Sequence, residues 1–160
     1  MDQVTGCELR VASYELRVAG YELRVASCGL TTMKSYRDLN IYKLSYDLAV
    51  KVHKMTLKLP KHELFEEGSQ VRRSSKGVTS CIVEGYGRRK YKADFIKFLI
   101  YAHASCDETI LHLNFLKDTN GFVEKEIKAL LFSYNELGGK INKFLKYVEK
   151  DWKGGRDEEQ

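Results

Sequence analysis

Apolar residues in this 160-residue chain recur at alternating steps of three and four from residue 39 onward. Such heptad spacing is typical of helices that pack side by side along a narrow apolar face. It predicts helices at about 39–59, 68–86, 91–119 and 122–152. Because the segments between them are short, we expect an all-α fold, an antiparallel up-down-up-down four-helix bundle.

The heptad positions of each helix form the predicted core of this bundle. In the first two helices these positions are Ile41, Ser45, Leu48, Val52, Met55 and Leu59, then Val71, Ser75, Val78, Ile82 and Gly85. In the third helix they are Phe95, Leu99, Ala102, Cys106, Thr109, Leu113 and Leu116. In the fourth they are Ile127, Leu131, Tyr134, Gly138, Ile141, Leu145 and Val148, widened by Leu130, Leu137 and Phe144.

Residues with special backbone or capping preferences mark the predicted helix ends. Asp38 is a candidate N-cap for the first helix, and Pro60 predicts its end, since the residue before a proline avoids helical geometry. Gly85 and Gly87 predict a left-handed cap at the end of the second helix. Asn120-Gly121 predicts the turn between the last two helices.

Several large apolar residues lie outside these heptad stripes. They are Tyr42, Ile96, Phe98, Ile100, Leu111, Phe115, Phe132 and Tyr147. Exposed apolar patches of this kind often mark an interface, which favours self-association. A core that is simply broader than one stripe is the alternative.

The first 32 residues have a different organisation, because CELRVAS, YELRVAG and YELRVAS follow one another at residues 7–27. Folded repeats diverge as each unit meets a different neighbour, so this near-identity indicates a recent duplication of coding sequence. We therefore interpret residues 1–32 as a flexible extension outside the fold, with Met33 as an alternative start. A marginal helix or strand is the other interpretation. Residues 33–153 would form the bundle, and residues 154–160 a disordered tail.

The chain carries no recognisable targeting or membrane signal. The repeat lacks a basic segment followed by an uninterrupted apolar run, as a secretory signal requires. No stretch approaches the roughly 18 apolar residues of a membrane span. The sequence therefore predicts a cytoplasmic protein without a membrane partner.

Positive charge is concentrated in one part of the chain. The net charge is +5, while residues 71–97 alone contain eight lysines and arginines and two carboxylates. A local positive field of this kind suits an anionic partner, above all the phosphates of RNA or DNA. The candidate nucleic-acid-binding residues are Arg72, Arg73, Lys76, Arg88, Arg89, Lys90 and Lys92. A solvated basic surface without a partner is the alternative.

No motif for catalysis, metal binding or a cofactor is present in the sequence. Helical bundles that bind two metal ions need Glu-x-x-His motifs, and the chain has none. It also lacks a phosphate-binding loop and a nucleophile elbow. Glu84 is the one carboxylate considered as a general base. The favoured interpretation is structural, an ion pair or hydrogen bond at the helix end with Arg88 or with a residue of another helix. We therefore expect a protein that is not an enzyme and needs no cofactor.

Three stretches resemble a known family. They are SQVRRSS at 69–75, VEGYGRRKYKADFIKFL at 83–99, and the pattern of Ala102, Ser105 and Glu108. They resemble the bacterial four-helix-bundle proteins encoded in 23S rRNA intervening sequences, a group related to accessory proteins of diversity-generating retroelements. The resemblance extends over nearly all of residues 33–160. Its one departure is the absence of proline at Val78-Thr79-Ser80, where such proteins usually carry one.

The resemblance implies more than the fold. It implies assembly into a homopentamer, with a dimer as second choice, and a basic surface that binds nucleic acid without strong sequence preference. The alternative role is that of a protein-interaction adaptor, such as an accessory subunit of a reverse transcriptase–RNA complex.

Overall fold

The computed structural model describes residues 35–119 and 124–152. The repeat extension at 1–32, the turn at Asn120-Gly121 and the tail at 154–160 lie outside the described residues. The predictions made for those segments therefore stay predictions.

Four long helices account for most of the described chain. A 3-10 turn at Tyr36–Asp38 precedes α1 (Asn40–Thr56), a short helix α2 (Lys61–Phe65) and then α3 (Glu67–Gly87), α4 (Lys92–Thr119) and α5 (Glu124–Asp151). Helix α3 packs against α1 and α4, and α5 packs against α4 and α1. The predicted all-α four-helix bundle is confirmed, with α3 and α5 diagonally opposite each other.

Contacts between helix ends show that neighbouring helices are antiparallel. Glu67 at the start of α3 contacts His112 near the end of α4. At the other end of the pair, Gly85 lies against Phe98 near the start of α4. Lys58, just after α1, contacts Glu126 in the first turn of α5. The bundle therefore has the up-down-up-down arrangement that its short connections predict.

The heptad positions form the core, as predicted. Every predicted position of the first three long helices is buried. In α5 the pattern is broader, because Leu130 and Leu137 are buried while Leu131 and Leu145 are half-buried. Helix α5 therefore faces the core through both of its predicted stripes.

Both predicted ends of α1 are wrong. Asp38 is not the N-cap of α1, because its carboxylate accepts a hydrogen bond from the backbone N–H of Ser35. That bond is half of a capping box on the 3-10 turn, and Leu39 precedes α1 instead. At the other end, α1 stops at Thr56 and Pro60 precedes the unpredicted helix α2, where its fixed φ fits the start of a helix.

The glycines at the end of α3 have a different role from the predicted one. Helix α3 continues through Gly87, and Arg88 after it has a φ of −97°, so no left-handed cap forms. Gly85 is buried, and a Cβ atom there would lie 2.9 Å from the Cβ of Phe98 and 3.3 Å from the Phe95 ring. Gly85 therefore permits the close approach of α4 to α3.

Small polar residues in the core join neighbouring helices. The Thr109 hydroxyl of α4 lies 2.9 Å from the Ser74 hydroxyl of α3, and both residues are buried. On the other side of α3, the Thr79 hydroxyl donates to the Ser45 hydroxyl of α1 at 3.1 Å. A buried polar group is costly unless it is hydrogen-bonded, so these pairs restrict how α3 can slide against its neighbours.

The apolar residues outside the stripes divide into two groups. Ile100, Leu111, Phe115 and Phe132 are exposed, while Tyr42, Ile96, Phe98 and Tyr147 are half-buried. Core broadening accounts for the half-buried group. It leaves an exposed apolar surface, mostly on α4, that the bundle itself does not cover.

We predict that Gly85→Ala destabilises the protein by about 1–3 kcal/mol, the usual cost of overpacking a core. The reason is that the new methyl group and the Cβ of Phe98 cannot occupy their present positions together. Gly87→Ala is the matched control, since nothing lies within 4 Å of a Cβ there. Urea denaturation of both variants measures the difference, and equal midpoints would contradict the role assigned to Gly85.

Candidate nucleic-acid interface

Arg73 and Lys76 form the open part of the predicted basic cluster. Both side chains are exposed on α3, and their spacing of three residues places them on neighbouring positions of one helix face. Within the described residues, no carboxylate lies within ion-pair distance of either side chain. Two uncompensated cations are therefore presented to solvent side by side.

Arg72 belongs to the same predicted cluster but has a structural role. Its guanidinium donates from Nη2 to the carbonyl oxygen of Leu64 at 2.9 Å, which ties α2 to α3. The other terminal nitrogen, Nη1, is buried, as is Oε2 of Glu63, and neither atom has a hydrogen-bond partner among the described residues. Arg72 therefore joins α2 to α3 through this hydrogen bond and is less exposed to solvent than Arg73.

The second half of the cluster lies where α3 leads into α4. Arg88 is the more exposed arginine, with its guanidinium 3.8 Å from the Asp94 carboxylate and 5.1 Å above the Phe98 ring. Arg89 is half-buried and donates to the Tyr86 carbonyl oxygen at 3.0 Å while covering the Tyr86 ring. Arg88 therefore presents its charge outward, whereas Arg89 helps to close the end of α3.

The two lysines of this junction also differ. Lys90 is exposed, whereas Lys92 is half-buried and donates to the carbonyl oxygen of Glu149 at 2.8 Å. Glu149 lies in the last turn of α5, where unpaired carbonyl groups attract a cation. The indole N–H of Trp152 also donates to the Arg89 carbonyl oxygen at 3.0 Å. The junction is thus both basic and a structural contact with the end of α5.

The predicted cluster is divided along α3. Lys76 and Arg88 are twelve residues apart, which corresponds to about 18 Å along a helix. Of the seven predicted residues, Arg73, Lys76, Arg88 and Lys90 are exposed, and Arg72, Arg89 and Lys92 are half-buried. The structure therefore shows two exposed basic patches rather than one continuous cluster.

Lys54 is a basic residue that the sequence interpretation missed. It lies on α1 and shares a groove with Lys76 of α3. It has no ion-pair partner within the described residues, whereas Lys51 on the same helix pairs with Asp47 at 2.7 Å. No sequence signal pairs Lys54 with Lys76, since the two residues are brought together only when α1 packs on α3.

Other polar groups in the described residues serve structure. Glu84 is exposed, and Arg88 contacts Asp94 instead. Within the described residues the Glu84 carboxylate has no ion pair or hydrogen bond, so the expected structural pairing is wrong. His112 lies 2.8 Å from Glu67 and joins α3 to α4. Burial raises the pKa of the Cys106 thiol to about 12, which keeps it protonated at neutral pH.

The described residues offer neither a metal site nor a membrane-spanning helix. They contain no group of three or more His, Cys, Asp or Glu side chains arranged to bind a metal ion. Within the same ranges, no helix has both the length and the apolar composition needed to cross a membrane.

Comparison with known proteins places the bundle among its relatives. Residues 37–143 match the family model described as 23S rRNA-intervening sequence protein. A crystal structure of a protein of unknown function from the S23 ribosomal protein family of Bacteroides thetaiotaomicron VPI-5482 is similar in fold, with a TM-score of 0.59 and 21% identity. The alignment covers 66% of this chain and 98% of that one. No curated protein matches the chain.

We predict that Arg72→Ala lowers the free energy of unfolding by about 1.5–3 kcal/mol, the usual contribution of a hydrogen bond to a charged group. The variant loses the bond to Leu64 and leaves that carbonyl without its partner. Arg73→Ala, which removes the same charge from an exposed neighbour, should change stability by less than about 0.5 kcal/mol. Chemical denaturation compares the two, and equal effects would show that Arg72 does not hold α2.

Proposed function

The chain belongs to the 23S rRNA-intervening sequence protein family, and we propose that it is a non-enzymatic, self-associating bundle that binds the phosphate backbone of nucleic acid. The observation that carries this proposal is the pair of uncompensated, exposed cations Arg73 and Lys76 on one face of α3. Arg88 and Lys90 add a second exposed patch at the end of the same helix.

The contrast with other lysines supports a role in binding. Lys51, Lys58 and Lys128 each lie within 2.7 Å of a carboxylate, so their charge is locally compensated. Arg73 and Lys76 have no such compensation among the described residues. A phosphate can supply the missing negative charge, and its binding releases counterions from the nucleic acid.

The chemistry of these patches favours backbone contacts over base recognition. Contacts to phosphate and sugar position a protein but carry no sequence information, whereas sequence is read at base edges. The exposed patches consist of lysine and arginine side chains on α3 and on the connection to α4, and such side chains bind phosphate. We therefore propose binding that is largely independent of sequence.

Self-association is supported by the outward surface of α4. Ile100, Tyr101, Leu111 and Phe115 are each between 46% and 52% exposed there, although the opposite side of α4 already forms core. A helix with large apolar residues on its outward side as well as on its core side often has a further partner. We propose that copies of the chain cover this surface, with a pentamer as first choice and a dimer as second. Assembly would multiply the basic patches.

The same apolar surface also favours a second candidate function. A different protein that covers α4 would make the bundle an adaptor, such as an accessory subunit of a reverse transcriptase–RNA complex. In that case the basic patches would contact the RNA of the complex while α4 binds the enzyme. A chain that binds RNA but remains monomeric in isolation would favour this alternative.

We predict that the protein binds RNA and DNA at low salt with affinity that falls steeply as salt rises. The double variant Arg73→Ala/Lys76→Ala should weaken binding to all sequences alike. If both side chains contact phosphates, the slope of log K against log salt on a duplex should become shallower by up to about 1.8. Fluorescence anisotropy across a salt series measures both quantities.

The double variant Lys140→Ala/Lys143→Ala is the matched control, since it removes two exposed lysines from α5, diagonally opposite α3. It should leave the slope nearly unchanged. Equal loss in both double variants would mean that total charge, rather than the face of α3, determines binding. Absence of binding to any nucleic acid at low salt would contradict the proposed function.

We predict that Leu111→Glu disrupts self-association, because it places a charge within the exposed apolar surface of α4. Leu57→Glu is the control, since Leu57 is 61% exposed but lies just after α1. Light scattering at tens of micromolar should show oligomers for the wild type and the control, and a smaller species for Leu111→Glu. A monomeric wild type would exclude self-association, and an unchanged Leu111→Glu variant would exclude α4 as the interface.

A further inference from the structure

A groove of about 520 Å³ runs between α1 and α3. Its volume falls in the range of about 300–1,000 Å³ that is usual for binding sites of small molecules. Eight residues line this α1–α3 groove: Tyr46, Ala49, Val50, His53 and Lys54 of α1, and Lys76, Thr79 and Ser80 of α3. The groove therefore includes Lys76 of the proposed phosphate-binding face, and it extends away from that residue onto α1.

The floor of the groove is apolar. Ala49 is buried and Val50 is 37% exposed, so both present hydrocarbon to the groove. The Thr79 hydroxyl is directed toward the bundle, where it donates to Ser45. An occupant of this floor needs a flat or apolar part of its own.

An aromatic ring lies at one end of the groove and continues into a row of tyrosines. Tyr46 is 56% exposed, and its ring centroid lies 6.1 Å from that of Tyr42. The Tyr42 ring in turn lies 4.9 Å from Tyr36, and the Arg37 guanidinium is 4.9 Å from the centroid of the Tyr36 ring. Exposed aromatic rings with nearby cations are what proteins use to stack the bases of single-stranded nucleic acid.

The charged groups of the groove are cations. Lys54 and Lys76 enter it from opposite helices, and none of the eight lining residues is a carboxylate. Neither lysine has an ion-pair partner within the described residues. The groove thus combines an apolar floor, an exposed ring and two uncompensated ammonium groups. A molecule with a planar aromatic part joined to an anion fits this combination.

We propose that the α1–α3 groove binds a nucleotide of single-stranded RNA or DNA. Its base would stack on Tyr46 over Val50, and its phosphate would contact Lys54 and Lys76. The inference rests on the proposed function, since Lys76 is part of both the phosphate-binding face of α3 and the groove. It adds that single strands are the preferred form of nucleic acid. In a duplex the faces of the bases are covered by their neighbours, so a duplex can contact the two lysines but cannot stack on Tyr46.

A second copy of the chain is a less suitable occupant. In a symmetric contact through this groove, Lys54 and Lys76 of one copy would approach the same residues of the other, and like charges repel. The outward surface of α4 instead offers another copy four exposed apolar side chains. In a two-fold dimer through α4, the groove therefore remains accessible to nucleic acid.

The test compares single-stranded and duplex probes on variants of the full chain. Fluorescein-labelled 12-nucleotide oligo(U) and oligo(dT) and a 12-base-pair RNA duplex are titrated at low salt. Loss of one base–aromatic stack in Tyr46→Ala should weaken binding of the single strands by about 5-fold to 100-fold. Binding of the duplex should stay within about twofold. Comparison of oligo(U) with oligo(dT) shows whether the groove prefers one of these two strands.

Two further variants make the result specific. Tyr46→Phe retains the ring and should bind both single strands like the wild type. Phe132→Ala removes an aromatic side chain that is 68% exposed on α5, and it should change none of the affinities. Circular dichroism melting curves verify that each variant is folded.

The outcomes separate the two proposals. If Tyr46→Ala leaves single-strand binding unchanged, or weakens duplex binding equally, the groove does not stack a base and only this inference is overturned. If Tyr46→Phe is as weak as Tyr46→Ala, the hydroxyl rather than the ring matters and stacking is again excluded. If the wild type binds none of the three probes, the proposed function is overturned together with the inference.

Discussion

The close packing of α3 against α4 is the contact on which the rest of this bundle depends. Gly85 leaves space for Phe98 at one end of the pair, and Thr109 meets Ser74 near its middle. At the far end, Glu67 contacts His112. Because the two helices are held along their whole shared length, the connection between them needs only a few residues, and its basic side chains are concentrated at one end of the bundle.

This arrangement separates structural from exposed cations along α3 and the start of α4. Arg72 holds α2 on one side of α3, and Lys92 contacts the last turn of α5. Arg73 and Lys76 lie between these contacts and have no partner among the described residues, although they are equally basic. The local excess of charge in the sequence is therefore only partly an excess of charge available to a ligand. The binding surface that we propose is smaller and better defined than the seven predicted residues.

The sequence predicts the fold well because heptad spacing is a repeated signal that tertiary packing reinforces. Its predictions are weaker where one residue decides the result. Asp38 completes the capping box of the 3-10 turn instead of capping α1, because its carboxylate accepts a hydrogen bond from the backbone N–H of Ser35. The structural role of Arg72 cannot be predicted from the sequence, because its acceptor is the backbone carbonyl of Leu64 and every residue type has such a carbonyl. The groove between α1 and α3 was missed because Tyr46 and Lys76 are 30 positions apart and meet only through packing.

The proposed contact of nucleic acid is with the surface formed by α1 and α3. Photo-crosslinking of an oligo(U) that carries 4-thiouridine, followed by mass spectrometry of the digested protein, locates that contact most directly. We expect crosslinked peptides from residues 46–54 of α1 and residues 73–80 of α3, and fewer crosslinks as salt rises. Crosslinks confined to the outward surface of α4 or to α5 would contradict it.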